Sequence, residues 1–234
     1  MTYRGVLLDI DGTFLDSNDA HAGAFADAIA EEKLDVPFAR VRPLIGMGSD
    51  KLLPALGIQP ESRVAAHVKR RKKEIFRTKY LPRLGPCPGA RDLLAHMKAL
   101  EMKLVVATSA PNEELDQLLR AGKIADLIDH EATSSDADDS KPDPDIVEAA
   151  ITKSKLGRET LIMIGDTPYD VEAATRAHVP IIALRCGGWK DDELKGAIEI
   201  FDDPRDLLVH FDASALAQPP TTMRSGVFPA YVAG

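Results

Sequence analysis

Short apolar runs alternate along the chain with longer stretches in which apolar residues recur three or four positions apart. Runs at 6–8, 104–107, 161–164, 180–184 and, less regularly, 198–201 read as strands covered on both faces, because they lack the polar alternation of a half-exposed strand. The intervening stretches read as helices. Pro88-Gly89 opens one carrying Leu93, Leu94, Met97 and Leu100, and Pro111 opens one carrying Leu115, Leu118 and Leu119 that Gly122 stops. Pro144 and Pro168 open two more. This alternation predicts an α/β fold, a Rossmann-like parallel sheet with helices on both faces, in which reactive groups collect at the carboxyl ends of the strands.

The stretch 16–84 breaks the rhythm. It offers amphipathic helices at 19–33, 50–56 and 62–80 and no strand, so an inserted all-helical cap domain is expected there, with the α/β core formed by 1–15 and 85–217. Phe14 to Ser17 would lead out of the core, and Pro82 with the Gly85-Pro86-Cys87-Pro88-Gly89 cluster would make a stiff return. Residues 218–234 carry no periodicity and are read as a tail.

With 234 residues, 44% of them hydrophobic, the chain can bury one good core, or a core and a smaller satellite. The formal net charge of −8 argues against a nucleic-acid partner. The basic run Lys69-Arg70-Arg71-Lys72-Lys73 is explained as the solvated face of a helix whose other side carries Val64, Val68, Ile75 and Phe76. No apolar run has the length of a membrane span or a signal peptide, so no membrane partner and a cytoplasmic location are expected. Two distant cysteines, Cys87 and Cys186, suggest neither a disulfide framework nor a zinc site.

Candidate chemistry falls at the strand ends. Asp9 and Asp11 flank Ile10 directly after the first strand, and Gly12 lets the chain turn. Carboxylates so close repel each other unless a cation sits between them, and an all-oxygen site suits Mg²⁺. Gly165-Asp166-Thr167-Pro168-Tyr169-Asp170 repeats the acidic pattern after another strand, so Asp9, Asp11 and Asp166 can share one metal with Asp170 as an outer or additional ligand. Thr108 and Ser109 end a third strand, where they serve either as helix caps or as phosphate ligands. Lys141 stands in the proline-flanked turn Ser140-Lys141-Pro142-Asp143-Pro144, suited to neutralising a phosphate.

Taken in order, Asp-x-Asp-Gly-Thr, the Thr108-Ser109 pair, Lys141-Pro142 and Gly-Asp-x-x-x-Asp resemble the four motifs of the haloacid dehalogenase superfamily. The helical insert resembles the cap of the subfamily that includes phosphoglycolate phosphatases and β-phosphoglucomutases. The resemblance implies a phosphatase acting on a small phosphorylated metabolite, as a monomer or homodimer. It implies that Asp9 attacks phosphorus to form an aspartyl-phosphate, that Asp11 acts as general acid and then base, and that Mg²⁺ is held by Asp9, Asp166 and the main-chain carbonyl of Asp11. Thr108, Ser109 and Lys141, with Gly12, would hold the phosphoryl oxygens. It also makes the Leu44-Ile45-Gly46-Met47-Gly48 turn a specificity loop, with Lys51 beyond it to meet a second anionic group of the substrate. His21 would lie near the general acid, the alternative being a helix residue packed under the cap.

The same residues weigh the rivals. Asp11 speaks against dehalogenation and phosphonate hydrolysis, since those branches lack an acid at its position. A β-phosphoglucomutase-like enzyme resembles Gly-x-Ser-Arg in the specificity loop, whereas this chain has Gly46-Met47-Gly48-Ser49, with Ser49 where the arginine would stand. A non-catalytic phosphate sensor would not need both Asp9 and Asp11. Phosphoglycolate, a sugar phosphate and a nucleotide monophosphate remain open as substrates.

Overall fold

The computed structural model describes residues 3–217, so the tail expected at 218–234 lies outside the described residues. Six strands, β1 (Gly5–Leu8), β2 (Lys103–Ala107), β3 (His130–Ala132), β4 (Leu161–Gly165), β5 (Ile181–Leu184) and β6 (Glu199–Phe201), form one sheet in the order β3-β2-β1-β4-β5-β6. Every pairing is parallel. The apolar pattern predicts all of these but β3, whose sequence HEA has only Ala132 to bury and which closes the edge of the sheet beside β2. An edge strand covered by one neighbour needs no apolar run to pair.

β1 shows why the sheet is layered. Its side chains alternate, Val6 and Leu8 to one face and Leu7 to the other, and none has any exposed surface. Val6 and Leu8 join a core with Leu93, Leu94 and Leu118. Leu7 joins another with Ile146, Val147 and Ala174. Burying each such leucine contributes about 1.5–3 kcal/mol.

Between β1 and β2 come α1 (Asn18–Glu31), α2 (Phe38–Val41), α3 (Ser49–Ala55) and α4 (Arg63–Ile75), the last running on into a π-helical turn, Phe76–Tyr80. The remaining helices are α5 (Ala90–Ala99), α6 (Asn112–Ala121), α7 (Asp145–Ser154), α8 (Pro168–Arg176) and α9 (Pro204–Val209). α5, α6 and α9 cover one face of the sheet, and α7 and α8 the other. Helices α1 to α4 gather a hydrophobic cluster of their own around Phe25, Ile29, Leu52, Leu53 and Val68. The two chain segments joining them to the sheet run side by side, tied by Asp16 N–H to Gly85 O (3.1 Å) and Cys87 N–H to Phe14 O (3.0 Å). Among the described residues, no helix is long and apolar enough to cross a membrane.

Candidate active site

β1, β2 and β4 lie side by side at the centre of the sheet, so the residues just beyond their carboxyl ends meet at one rim. Asp9 comes directly after β1 and is 7% exposed; Asp166 comes directly after β4 and is fully buried. Gly12, at φ +83°, turns the chain between them. A side chain there would collide with Asn18 and Asp166, since a Cβ would stand 2.1 Å from Asn18 Nδ2 and 2.4 Å from Asp166 Oδ2. Thr13 Oγ1 donates to Asp166 Oδ1 at 2.7 Å and Asn18 Nδ2 to Asp166 Oδ2 at 2.8 Å.

Lys141, only 1% exposed, reaches the same point from the turn before α7. Its ammonium donates to Asp9 Oδ1 at 2.6 Å and to the carbonyl of Ala107 at 2.9 Å, and pairs with Asp170 Oδ1 at 2.7 Å. Asp170 is itself fixed by a capping box at the start of α8: its Oδ2 accepts from Thr167 N (3.0 Å) and Thr167 Oγ1 (2.7 Å). One buried ammonium, paired with Asp9 and Asp170, is therefore set against a trio of buried carboxylates, Asp9, Asp166 and Asp170, which offer oxygens all within 4.8 Å of one another.

The charge imbalance is visible in the acids. Burial pushes Asp9 up to about 7, the Lys141 charge working against the rise and Asp170 adding to it. Burial, then repulsion from Asp9 and Asp170, lifts Asp166 well above the carboxylate range. For Lys141, burial alone would lower the ammonium, but Asp170 and Asp9 outweigh it and raise it. Hard oxygen donors crowded in this way fit a divalent cation, and the buried Oδ1 of Asn18, which has no hydrogen-bond partner, is a further oxygen beside them.

Asp11 faces elsewhere. The motif spacing groups its carboxylate with the metal ligands, whereas in the structure that carboxylate accepts from Ser17 Oγ at 2.5 Å and lies 2.8 Å from His21 Nε2. Burial raises its pKa, but His21, Ser17 and the charge of Lys72 together hold it below the usual carboxylate value. His21 is at once packed and bonded: its ring stacks on Phe76 at 4.0 Å and 7°, and Nδ1 lies 4.0 Å from Glu114 Oε1.

Asp9, Asp11 and His21 line a cleft of about 250 Å³ together with Thr108, Ser109 and Gly46. Thr108 Oγ1 accepts from Ala110 N at 3.1 Å, capping the turn before α6, and Ser109 Oγ approaches Gly46 O at 3.4 Å. Gly46 sits at φ +112°, where a Cβ would press on Thr167 and Tyr169. Lys51 does not line the cleft. It forms an ion pair with Asp143, whose other oxygen takes Arg176 at 2.6 Å.

The basic run has the exposed Lys69, Arg70 and Lys73 expected of a solvated helix carrying the buried Val68 and Phe76, yet part of it also faces the cleft. Lys69, Lys72 and Lys73 line the cleft, while Arg71 turns to Glu31 and Glu74. A helix spreads five consecutive residues around its whole circumference, so the run cannot occupy one face. Sequence reasoning also missed Asn18 and Glu114. No motif marks either, since each reaches the site from a different element.

A family model for haloacid dehalogenase-like hydrolases matches residues 6–184. The chain belongs to the haloacid dehalogenase-like hydrolases. A phosphoglycolate phosphatase of Rhodospirillum rubrum is 27% identical over 86% of this chain and 87% of its own length. One of Caulobacter vibrioides is 28% identical over 78% and 79%. The crystal structure of a hydrolase from Pseudomonas syringae is 28% identical, superposes with a TM-score of 0.83, and is matched over 89% of this chain and 98% of that one. The family makes this chain a hydrolase, and both of these curated relatives are named phosphatases.

Proposed function

We propose that the protein is a Mg²⁺-dependent phosphatase of small phosphorylated metabolites that works through an aspartyl-phosphate on Asp9, with residues 16–84 acting as a cap on a core of 1–15 and 85–217. The observation that carries this reading is the buried Asp9 carboxylate, which lines the cleft, is bonded to Lys141 at 2.6 Å and is grouped with Asp166 and Asp170.

Asp9, Asp166 and Asp170 would hold Mg²⁺, with the main-chain carbonyl of Asp11 as the family resemblance implies. The bound ion offsets the repulsion between an attacking carboxylate and a phosphate dianion. Lys141 keeps Asp9 oriented while Thr108 and Ser109 offer hydroxyls, and the turn before α6 offers amides, to the phosphoryl oxygens. Asp9 displaces the alkoxide, splitting one hard displacement into two easier ones. Asp11, held apart from the trio by Ser17 and His21, gives the leaving oxygen a proton and later takes one from the hydrolytic water. An arriving phosphate dianion raises the Asp11 carboxyl toward the protonated state this requires.

The cleft volume favours a metabolite of a few carbons over a nucleotide, and the phosphoglycolate phosphatase relatives point the same way. Ser49 lines the cleft and Lys51 is engaged by Asp143, which weighs toward hydrolysis rather than phosphomutase chemistry.

Phosphate release from a panel of phosphorylated metabolites, with Mg²⁺, with EDTA and with Asp9→Asn, is the test. Release should need Mg²⁺ and fall at least about 10³-fold in the variant. Sugar-phosphate interconversion dependent on a bisphosphate activator, without net release, would replace hydrolysis by mutase activity.

A further inference from the structure

The turn that presents Lys141 is held from two sides. From the core, Arg176 of α8 donates to the carbonyl of Pro142 at 3.3 Å and to Asp143 Oδ1 at 2.6 Å. From the helical insert, residues at the start of α3 take hold of the same stretch. Gly48 N–H donates to Ser140 Oγ at 3.1 Å, and that hydroxyl donates in turn to Asp50 Oδ2 at 2.9 Å. Lys51 completes the grip with its ion pair to Asp143. The approach is close, since a Cβ on Gly48 would stand 2.5 Å from Ser140 Cβ.

These contacts act on the residues either side of Lys141. Ser140 precedes it and Asp143 follows Pro142, while the Lys141 ammonium runs inward to Asp9, Asp170 and the Ala107 carbonyl. Asp143 N–H donates to Ser140 O at 3.1 Å, tying the two ends of the turn together. Gly48 and Ser49 line the cleft, so the position of α3 responds to what the cleft contains. Asp50 and Lys51, next in sequence, reach the Lys141 turn instead.

We propose that Lys51, with Gly48 and Asp50, positions Lys141: the seating of α3 on the turn from Ser140 to Asp143 sets the buried ammonium against Asp9, so that an ester which lets the insert close also completes the group that attacks it. This rests on the phosphatase reading above and goes beyond it, because Lys51 then acts on the protein and not on the substrate. Closure that assembles catalytic groups turns binding into rate, so breaking the contact is felt in kcat. The Lys51 and Asp143 side chains are each about a quarter exposed, which makes the pair a modest tether and charge reversal the sharper test.

Kinetics with propyl phosphate and 2-phosphoglycolate at fixed Mg²⁺ separate the two roles open to Lys51. Lys51→Gln should lower kcat about fivefold on both esters with KM within about twofold, Lys51→Glu should lower kcat about tenfold or more, and Lys51→Arg should keep most of it. A loss confined to 2-phosphoglycolate and carried by KM would make Lys51 a substrate ligand and overturn the proposal. So would a loss no larger than that of Lys98→Gln, which breaks an ion pair with Asp129 on another element. Reductive methylation of the metal-free protein, followed by mass spectrometry, reads the position of Lys141 without turnover. Lys141 should be modified at least about tenfold faster in Lys51→Glu than in the wild type or Lys98→Gln, with no comparable rise at Lys103, which is bonded to Ser154 O. A rise shared by Lys103 would mean general loosening, and a Lys141 that stays protected would mean that α3 does not position it. Either result overturns the proposal, whether or not the wild type hydrolyses any ester.

Discussion

Asn18 is the residue whose part in the site is least visible in the sequence. It opens α1, yet its amide donates to Asp166 Oδ2 at 2.8 Å and to Gly187 O at 3.3 Å, fixing a carboxylate that belongs to a distant strand end. Groups that orient a ligand in this way set its affinity for the ion. Asn18→Leu should raise the Mg²⁺ concentration needed for half-maximal activity by about 10- to 100-fold, measured by metal titration; an unaltered titration would make Asn18 a packing residue only. Asp9, Asp11, Lys141 and Asp166 could be singled out because each sits in a short motif at a strand end. Asn18 and Glu114 could not, because a carboxamide or carboxylate in the first turn of a helix looks the same whether it faces water or, as here, Asp166 for one and Lys72 and His21 for the other. Lys51 shows the converse. Its place beyond the specificity turn suggests an anion ligand, and only the position of Asp143 on another element reveals that it is engaged.

At the scale of elements, α8 joins local structure to the site. Thr167 accepts from Asp170 N (3.1 Å) and donates to Asp170 Oδ2 (2.7 Å), so the cap that starts the helix also holds the carboxylate paired with Lys141. Thr167→Ala should cost about 0.5–2 kcal/mol, seen as a fall in Tm of roughly 2–6 °C, while Thr167→Ser should keep most of the stability. Equal losses in both variants would assign the effect to the methyl group. Strands β1, β2, β4 and β5 and the helices α5, α6, α7 and α8 were legible because apolar periodicity and proline starts are local signals. β3 was not, since His130–Ala132 pairs through its backbone and buries little. Nor was the aspect of the basic run: its sequence shows a charged helix, but which lysines meet the cleft depends on how α4 packs against α1 and faces α6.

For the whole molecule, the crowding of acids at the centre of the sheet predicts how metal and pH act on stability. Asp9 and Asp166 titrate above their ordinary range in the folded chain, Asp9 at about 7. Such groups contribute their stability fully at low pH and lose it as pH rises from the ordinary carboxylate range toward the folded value. The metal-free protein should therefore be strained by this site at pH 8 more than at pH 5, and Mg²⁺, which binds the ionised acids, should raise Tm more at pH 8. Differential scanning calorimetry with Mg²⁺ and with EDTA at both values decides it, and an equal gain at the two would count against these carboxylates as the ion's ligands. The sequence by itself determined the α/β alternation, the helical stretch between the first two central strands and the acidic strand ends, because each is written in neighbouring residues through hydrophobic period, turn chemistry and motif spacing. Tertiary structure alone decided that one buried lysine answers to Asp9 and Asp170 together, that Asp11 turns to His21 instead of to the other acids, and that Lys69 is left facing the cleft. Those outcomes depend on distances between residues far apart in the chain, which are fixed only when the sheet order and the packing of the helices bring them within reach.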